Sequence, residues 1–172
     1  MRHYQSTGGL PESALTERGH AAAVRLADRL IPFGPDAIYA SPYARAVSTV
    51  SPLATQLQTE IHVDDRLRER VRSSEEIEDV AGYLHRSFLD ENYQAVGGES
   101  LREAADRGLA ALAEIRRGDH RCAVVATHRT LITSILRSIN PRFGLAEWRE
   151  MVTPDVFSLR FDELRPIAFE RL

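Results

Sequence analysis

Short apolar runs alternate with amphipathic stretches along the whole chain, and this alternation limits the fold more than any other feature. Ala37-Ile38-Tyr39-Ala40 and Cys122 to Ala126 are apolar throughout, as buried strands are, and each is followed by a stretch with helical patterning. Strand, helix, strand in that order implies βαβ units and an α/β fold on a mostly parallel sheet.

Local signals mark the elements. Thr16 stands where a helix N-cap belongs, and the pattern predicts a helix from there to about Leu30, stopped by Pro32, Gly34 and Pro35. Ser41, with Pro42 at the first helical position, predicts the start of the next helix. Ile61-His62-Val63 reads as a third, short strand. The polar region from Arg68 to about Asn92 is expected to be a helix with loose ends. Gly97-Gly98-Glu99-Ser100 is a turn, and Glu99 or Ser100 opens a long helix ending near Gly118. A helix from about Leu131 to Ile139 precedes Pro141, and strands at Val156 to Phe161 and Ile167 to Phe169 are expected on a sheet edge.

Ser41, the segment 66–69 and His128 each follow a strand-like run, and His3 is grouped with them. Ligands of open α/β sheets bind at the carboxyl ends of the strands, so these clusters are expected on one rim.

Length and composition restrict the function classes. With 172 residues, the expectation is one domain over 1–172. Hydrophobic residues at 43% and charged residues at 27% are ordinary for a soluble globular protein. No apolar run approaches the roughly 18 residues of a membrane span, and no signal-peptide pattern opens the chain. Cys122 is the sole cysteine, which excludes a disulfide framework and favours the cytoplasm. A net charge of −3 argues against a nucleic-acid partner. All 22 basic residues are Arg, which with the Ala content fits a GC-rich genome better than a functional bias.

Phosphoryl transfer needs a nucleophile, cations around the phosphate oxygens and an acid for the leaving oxygen. Arg2-His3 offers an imidazole beside a guanidinium, although alone the pair reads as a frayed chain end. Arg45 sits early in the helix after Ser41-Pro42, where an anion would also meet the helix dipole; an exposed helix Arg is the plainer alternative. His128, at a strand-to-helix junction, suits either a helix cap or a ligand contact. Glu69 lies in a charged run, Asp64 to Glu69, whose usual meaning is solvation.

As an ordered set these segments resemble the histidine phosphatase (phosphoglycerate mutase-like) superfamily over nearly the whole chain. Arg2-His3-Tyr4-Gln5-Ser6-Thr7 resembles its Arg-His-Gly-Glu-Ser/Thr opening, and Leu15-Thr16-Glu17-Arg18-Gly19 its Leu-Thr-x-x-Gly helix start. Ser41-Pro42 with Arg45-Ala46 and Thr49 resembles Ser-Pro-x-x-Arg-Ala-x-x-Thr. Leu67-Arg68-Glu69, Gly97-Gly98-Glu99-Ser100 and Val124 to His128 follow in the family's order.

The resemblance implies a three-layer α/β/α sandwich and a phosphomonoester phosphatase. His3 would be phosphorylated, with Arg2, Arg45 and His128 holding the phosphate oxygens. Glu69 would act as general acid and then base, and Ser6 would add a hydrogen bond. No metal or other cofactor is implied, since arginines and a protonated His supply positive charge. The expected partner is a phosphorylated small molecule, with a phosphoprotein as an alternative and a homodimer compatible with an exposed sheet edge.

The chain departs from the family pattern at several points. Tyr4 and Arg129 stand where Gly is usual; Arg129 would contact phosphate or point to solvent. The family's Asn near Gly9 is missing, and so is a strand before Arg2. The expectation is a start annotated too late, with an N-terminally extended chain more stable and more active. Two further readings stay open: a phosphoglycerate-type mutase, and a member that binds phosphorylated ligands without turning them over. A metal hydrolase is disfavoured, because the six His show neither HxH nor HExxH spacing.

Overall fold

The computed structural model describes residues 10–172. In chain order the elements are α1 (Glu17–Leu30), β1 (Ala37–Ala40), α2 (Ala44–Leu57), β2 (Ile61–Val63), α3 (Val80–Leu89) and α4 (Leu101–Arg117). Then come β3 (Ala123–Ala126), α5 (Arg129–Ile139), α6 (Leu145–Glu150), β4 (Phe157–Asp162) and β5 (Arg165–Arg171). They belong to two compact units: residues up to Arg68 with Ile115–Thr127, and Glu69–Glu114 with His128–Leu172.

The first unit is a parallel sheet with α1 and α2. Thr16 caps α1 as its sequence position suggests, its Oγ1 accepting the Gly19 N–H at 3.1 Å. Ala22, Ala23, Leu26, Ala27 and Leu30 form the buried face of α1, at helical spacing, and the small side chains let α1 pack closely on α2. β1 is central and pairs in parallel with β2 on one side and β3 on the other. Ile38, Leu53 and Leu67 are almost fully buried in this unit; burial of each contributes about 1.5–3 kcal/mol.

Register decides where the strands end. Ala40 lies level with Val63 and with Ala126, so all three strands stop at one row. Two further bonds extend the ladder past that row, Ser41 N–H to Ala126 C=O at 2.9 Å and Asp64 N–H to Ala40 C=O at 3.0 Å. At the other end the Asp36 carboxylate accepts the N–H groups of Arg121 and Cys122, which holds it below its ordinary pKa.

The second unit contains α3, most of α4, α5, α6 and the β4–β5 hairpin. Ser100 and Glu103 cap α4 reciprocally, through Glu103 N–H to Ser100 Oγ at 3.1 Å and Ser100 N–H to Glu103 Oε2 at 2.8 Å. Gly108 lets α4 approach α5 closely, for a Cβ there would stand 2.8 Å from Ile135 and 2.9 Å from Leu131. Phe143 packs edge-on against Phe157 and Phe169 of the hairpin, at ring separations of 5.9 and 5.3 Å. Among the described residues no helix is long and apolar enough to cross a membrane.

The mixed α/β fold with a parallel sheet is as expected, but three local expectations change and one further helix appears. The helix expected over 68–92 shrinks to α3, because residues 71–74 bond instead to 96–99, with Glu99 N–H to Val71 C=O at 2.8 Å and Ser74 N–H to Val96 C=O at 2.9 Å. α2 begins at Ala44 rather than Pro42: Ser41 Oγ accepts the Tyr43 N–H at 3.3 Å, and this turn keeps Tyr43 extended. Among the described residues β4 and β5 pair antiparallel with each other in a two-stranded sheet, and not with the parallel strands. α6 falls in a stretch that carries no periodic signal.

Candidate active site

The first unit presents Ser41, Asp64 and Thr127, each immediately after one of the three level strand ends. Ser41 is fully buried. Thr127 Oγ1 donates to the Leu67 carbonyl at 2.8 Å, fixing the turn before Arg68. Arg66 forks onto Asp64 with Nε–Oδ1 and Nε–Oδ2 both at 3.1 Å and Nη2–Oδ2 at 2.6 Å. That guanidinium, before all else, holds the Asp64 carboxyl below its ordinary range.

Arg45 is the second residue of α2, on the turn that follows β1. Its Nη1 donates to the Leu10 carbonyl at 2.8 Å, its guanidinium lies 4.7 Å from the Tyr43 ring centre, and Thr49 Oγ1 donates to its carbonyl at 2.7 Å. The neighbouring Ala44 N–H donates to the Pro11 carbonyl at 2.9 Å. A cation and a helix N-terminus thus lie together after the central strand, an arrangement suited to anions.

In the second unit Glu69 and His128 meet at one helix end. His128 is the N-cap residue of α5, with an extended backbone and a buried side chain that makes no capping bond. Glu69 supplies the cap instead. Its Oε2 accepts the Thr130 N–H and its Oε1 the Leu131 N–H, both at 3.2 Å, while Oε1 also takes the Arg70 N–H at 2.9 Å. A carboxylate at the positive end of a helix is favourably placed.

Arg129, in the first turn of α5, stacks its guanidinium 5.1 Å from the Trp148 ring centre, and Trp148 Nε1 donates to Thr130 Oγ1 at 3.4 Å. Trp148 therefore lies against the start of α5, whereas Phe143 belongs to the aromatic cluster of the hairpin. Arg2, His3 and Ser6 lie outside the described residues, as do Tyr4 and Gly9. Among the described residues no group of three or more His, Cys, Asp or Glu side chains could hold a metal ion.

Arg70 escapes sequence reasoning. It is 3% exposed and bonded to four partners, yet in sequence it is one more charge in an Arg/Glu run. The signal available was Tyr83 and Ser87, four residues apart as on one helix face.

No curated protein matches the sequence. Solved structures resemble it along nearly its full length. A mycobacterial glucosyl-3-phosphoglycerate phosphatase in complex with inorganic phosphate is 24% identical at a TM-score of 0.79, over 99% of this chain and 92% of that one. Bacillus stearothermophilus YhfR is 24% identical at 0.71, over 96% and 91%. A histidine-to-alanine mutant of Entamoeba histolytica phosphoserine phosphatase, in complex with phosphoserine, is 18% identical at 0.69, over 96% and 88%. At such identities the likeness establishes the shared fold. The family model of the histidine phosphatase superfamily (branch 1) matches residues 1–165. This chain belongs to that superfamily.

Proposed function

We propose that the chain, acting as one catalytic domain over 1–172, is a metal-independent phosphomonoester phosphatase working through a phosphohistidine on His3. His3 attacks phosphorus and the ester P–O bond breaks. Glu69 gives its proton to the leaving oxygen, then takes one from the water that cleaves the N–P bond. Arg2, Arg45 and His128 neutralise the phosphate oxygens, Ser6 adds a hydrogen bond, and Arg129 offers an outer contact.

The observation that carries this reading is the meeting of Glu69 and His128 at the N-terminus of α5. The two lie 59 positions apart in the sequence, and their chemistry is that of a proton donor and a phosphate ligand. Family membership supports the reaction class, and the substrates of the mycobacterial and Entamoeba phosphatases support a phosphorylated small molecule. Cys122 as sole cysteine supports the cytoplasm as its location.

Phosphate release from a chromogenic aryl phosphate, with chelator present, tests the reading. Turnover that survives chelation and disappears in His3→Ala is the expected result; turnover that persists in His3→Ala would refute it. A binding-only reading draws on Glu69, whose two oxygens already accept three backbone N–H groups. Tight phosphate binding with no turnover would favour that alternative.

A further inference from the structure

Glu69 and Arg70 are neighbours whose side chains engage different elements. The Glu69 carboxylate holds the first turn of α5, while the Arg70 guanidinium enters a buried polar knot under α3. Its Nε donates to the Glu99 carbonyl at 2.7 Å. Its Nη2 donates to Tyr83 Oη at 2.6 Å, Ser87 Oγ at 3.2 Å and the Tyr93 carbonyl at 3.3 Å. Tyr83 and Ser87 are buried on one face of α3. Tyr83 Oη donates onward to the Arg72 carbonyl at 2.9 Å, and Ser87 Oγ to the Tyr83 carbonyl at 3.0 Å.

A tie of this kind is costly. Arg70 Nη1 is buried without a hydrogen-bond partner, and burial lowers the guanidinium's pKa. Apolar packing would hold α3 more cheaply. What it would not provide is directional bonding from one planar group to both α3 and the 93–99 segment. The peptide that carries Glu69 is fastened on one side by its own carboxylate and on the other by Arg70. Glu99 reinforces the second side, accepting the Val71 N–H on Oε2 at 3.0 Å and pairing with Arg107 at 2.7 Å.

We infer that Arg70 is the positioning residue for Glu69, tying the peptide that carries the acid to α3 and to the Glu99 segment. The placement of α3 then governs how well the proton reaches the leaving oxygen. This rests on the phosphatase reading, with Glu69 as the proton donor.

The test is the dependence of kcat/KM, which reports the step that expels the leaving group even where hydrolysis of the phosphohistidine limits turnover, on leaving-group basicity over a series of substituted phenyl phosphates, from nitrophenyl to phenyl. A nitrophenolate leaves with little help from an acid, whereas a phenolate needs protonation. Glu69→Gln is expected to steepen the dependence. Arg70→Lys keeps the charge but not the fork, and is expected to steepen it in the same sense. Its loss should be roughly 10-fold greater on phenyl than on nitrophenyl phosphate, in kcat/KM. A purely structural role would lower both substrates equally, and that outcome overturns the inference. Should Arg70→Lys fail to fold, Tyr83→Phe, which removes one acceptor and keeps the packing, is judged by the same ratio. A steep Glu69→Gln with a flat Arg70→Lys sinks the inference alone. A flat Glu69→Gln sinks the reading beneath it, and the inference with it.

Discussion

Glu69 Oε1 accepts the N–H of Leu131 at 3.2 Å across 62 residues of sequence. The residue assigned to proton transfer is therefore also the cap of the helix that His128 starts.

These two duties separate in variants. Glu69→Gln keeps an oxygen for the helix end, and its Tm should stay within a degree or so of the parent. Glu69→Ala leaves Thr130 and Leu131 without that acceptor, which costs about 1 kcal/mol, or a Tm loss of about 2–4 °C. Both should lose roughly 100-fold or more in kcat on poor leaving groups. Melting curves and steady-state rates on the same preparations check this. Equal Tm losses would mean that the cap is not worth what its geometry suggests.

Arg45 and Arg129 should differ in kind. Arg45 lies at the helix N-terminus after the central strand, and its loss in Arg45→Ala should lower kcat/KM roughly 10–100-fold. Arg129 is stacked on Trp148, a contact of about 0.5–1 kcal/mol, so Arg129→Ala should raise KM a few-fold and leave kcat unchanged. A fall in kcat for Arg129→Ala as large as that for Arg45→Ala would place both in the reacting shell.

Gly98→Ala should be damaging for a reason unrelated to helix or strand propensity. A Cβ at residue 98 would stand 2.2 Å from the Arg72 carbonyl oxygen, so the pairing of 71–74 with 96–99 would have to open. Such overpacking costs about 1–3 kcal/mol. Tryptic cleavage within 68–86 should accelerate, and unchanged cleavage with an unchanged Tm would show that the two segments yield easily.

Asp64 gives a pH signature. Its carboxyl is held below the ordinary 3.8 by Arg66, so the ionised form is favoured in the folded chain. The stabilisation is present above pH 3.8 and is lost as pH falls through the depressed folded-state value. Parent and Asp64→Asn should therefore differ most in Tm near neutral pH and converge in acid. Salt should narrow the gap, because the pair is partly exposed. A gap that widens in acid would contradict the assignment.

Elements whose local signals agree with their packing were legible in the sequence. β1 is an unbroken apolar run and is the central strand, and α1 carries both its cap and its buried face in its own residues. Glu69 and His128 were singled out by an ordered set of motifs, and both lie at the N-terminus of α5. What remained hidden depends on partners distant in sequence. The stretch 70–79 reads as a polar helix until Arg70 is seen buried against Tyr83, Ser87 and Glu99, with its backbone taken up by 96–99. Likewise nothing local in β4 and β5 shows that they pair with each other and not with the parallel strands. The cap that Glu69 provides leaves no mark in the sequence, because Thr130 and Leu131 donate only backbone groups.

The most direct measurement is the trapping of the covalent intermediate. The parent chain and Glu69→Gln would be mixed with an aryl phosphate, quenched in alkali, where phosphohistidine survives, and mapped by peptide mass spectrometry. The expected result is a phosphate on the peptide containing His3, accumulating further in Glu69→Gln because hydrolysis of the N–P bond has lost its base. An active chain with no phosphate on His3 at any time, or with phosphate on another residue, would contradict the phosphohistidine mechanism.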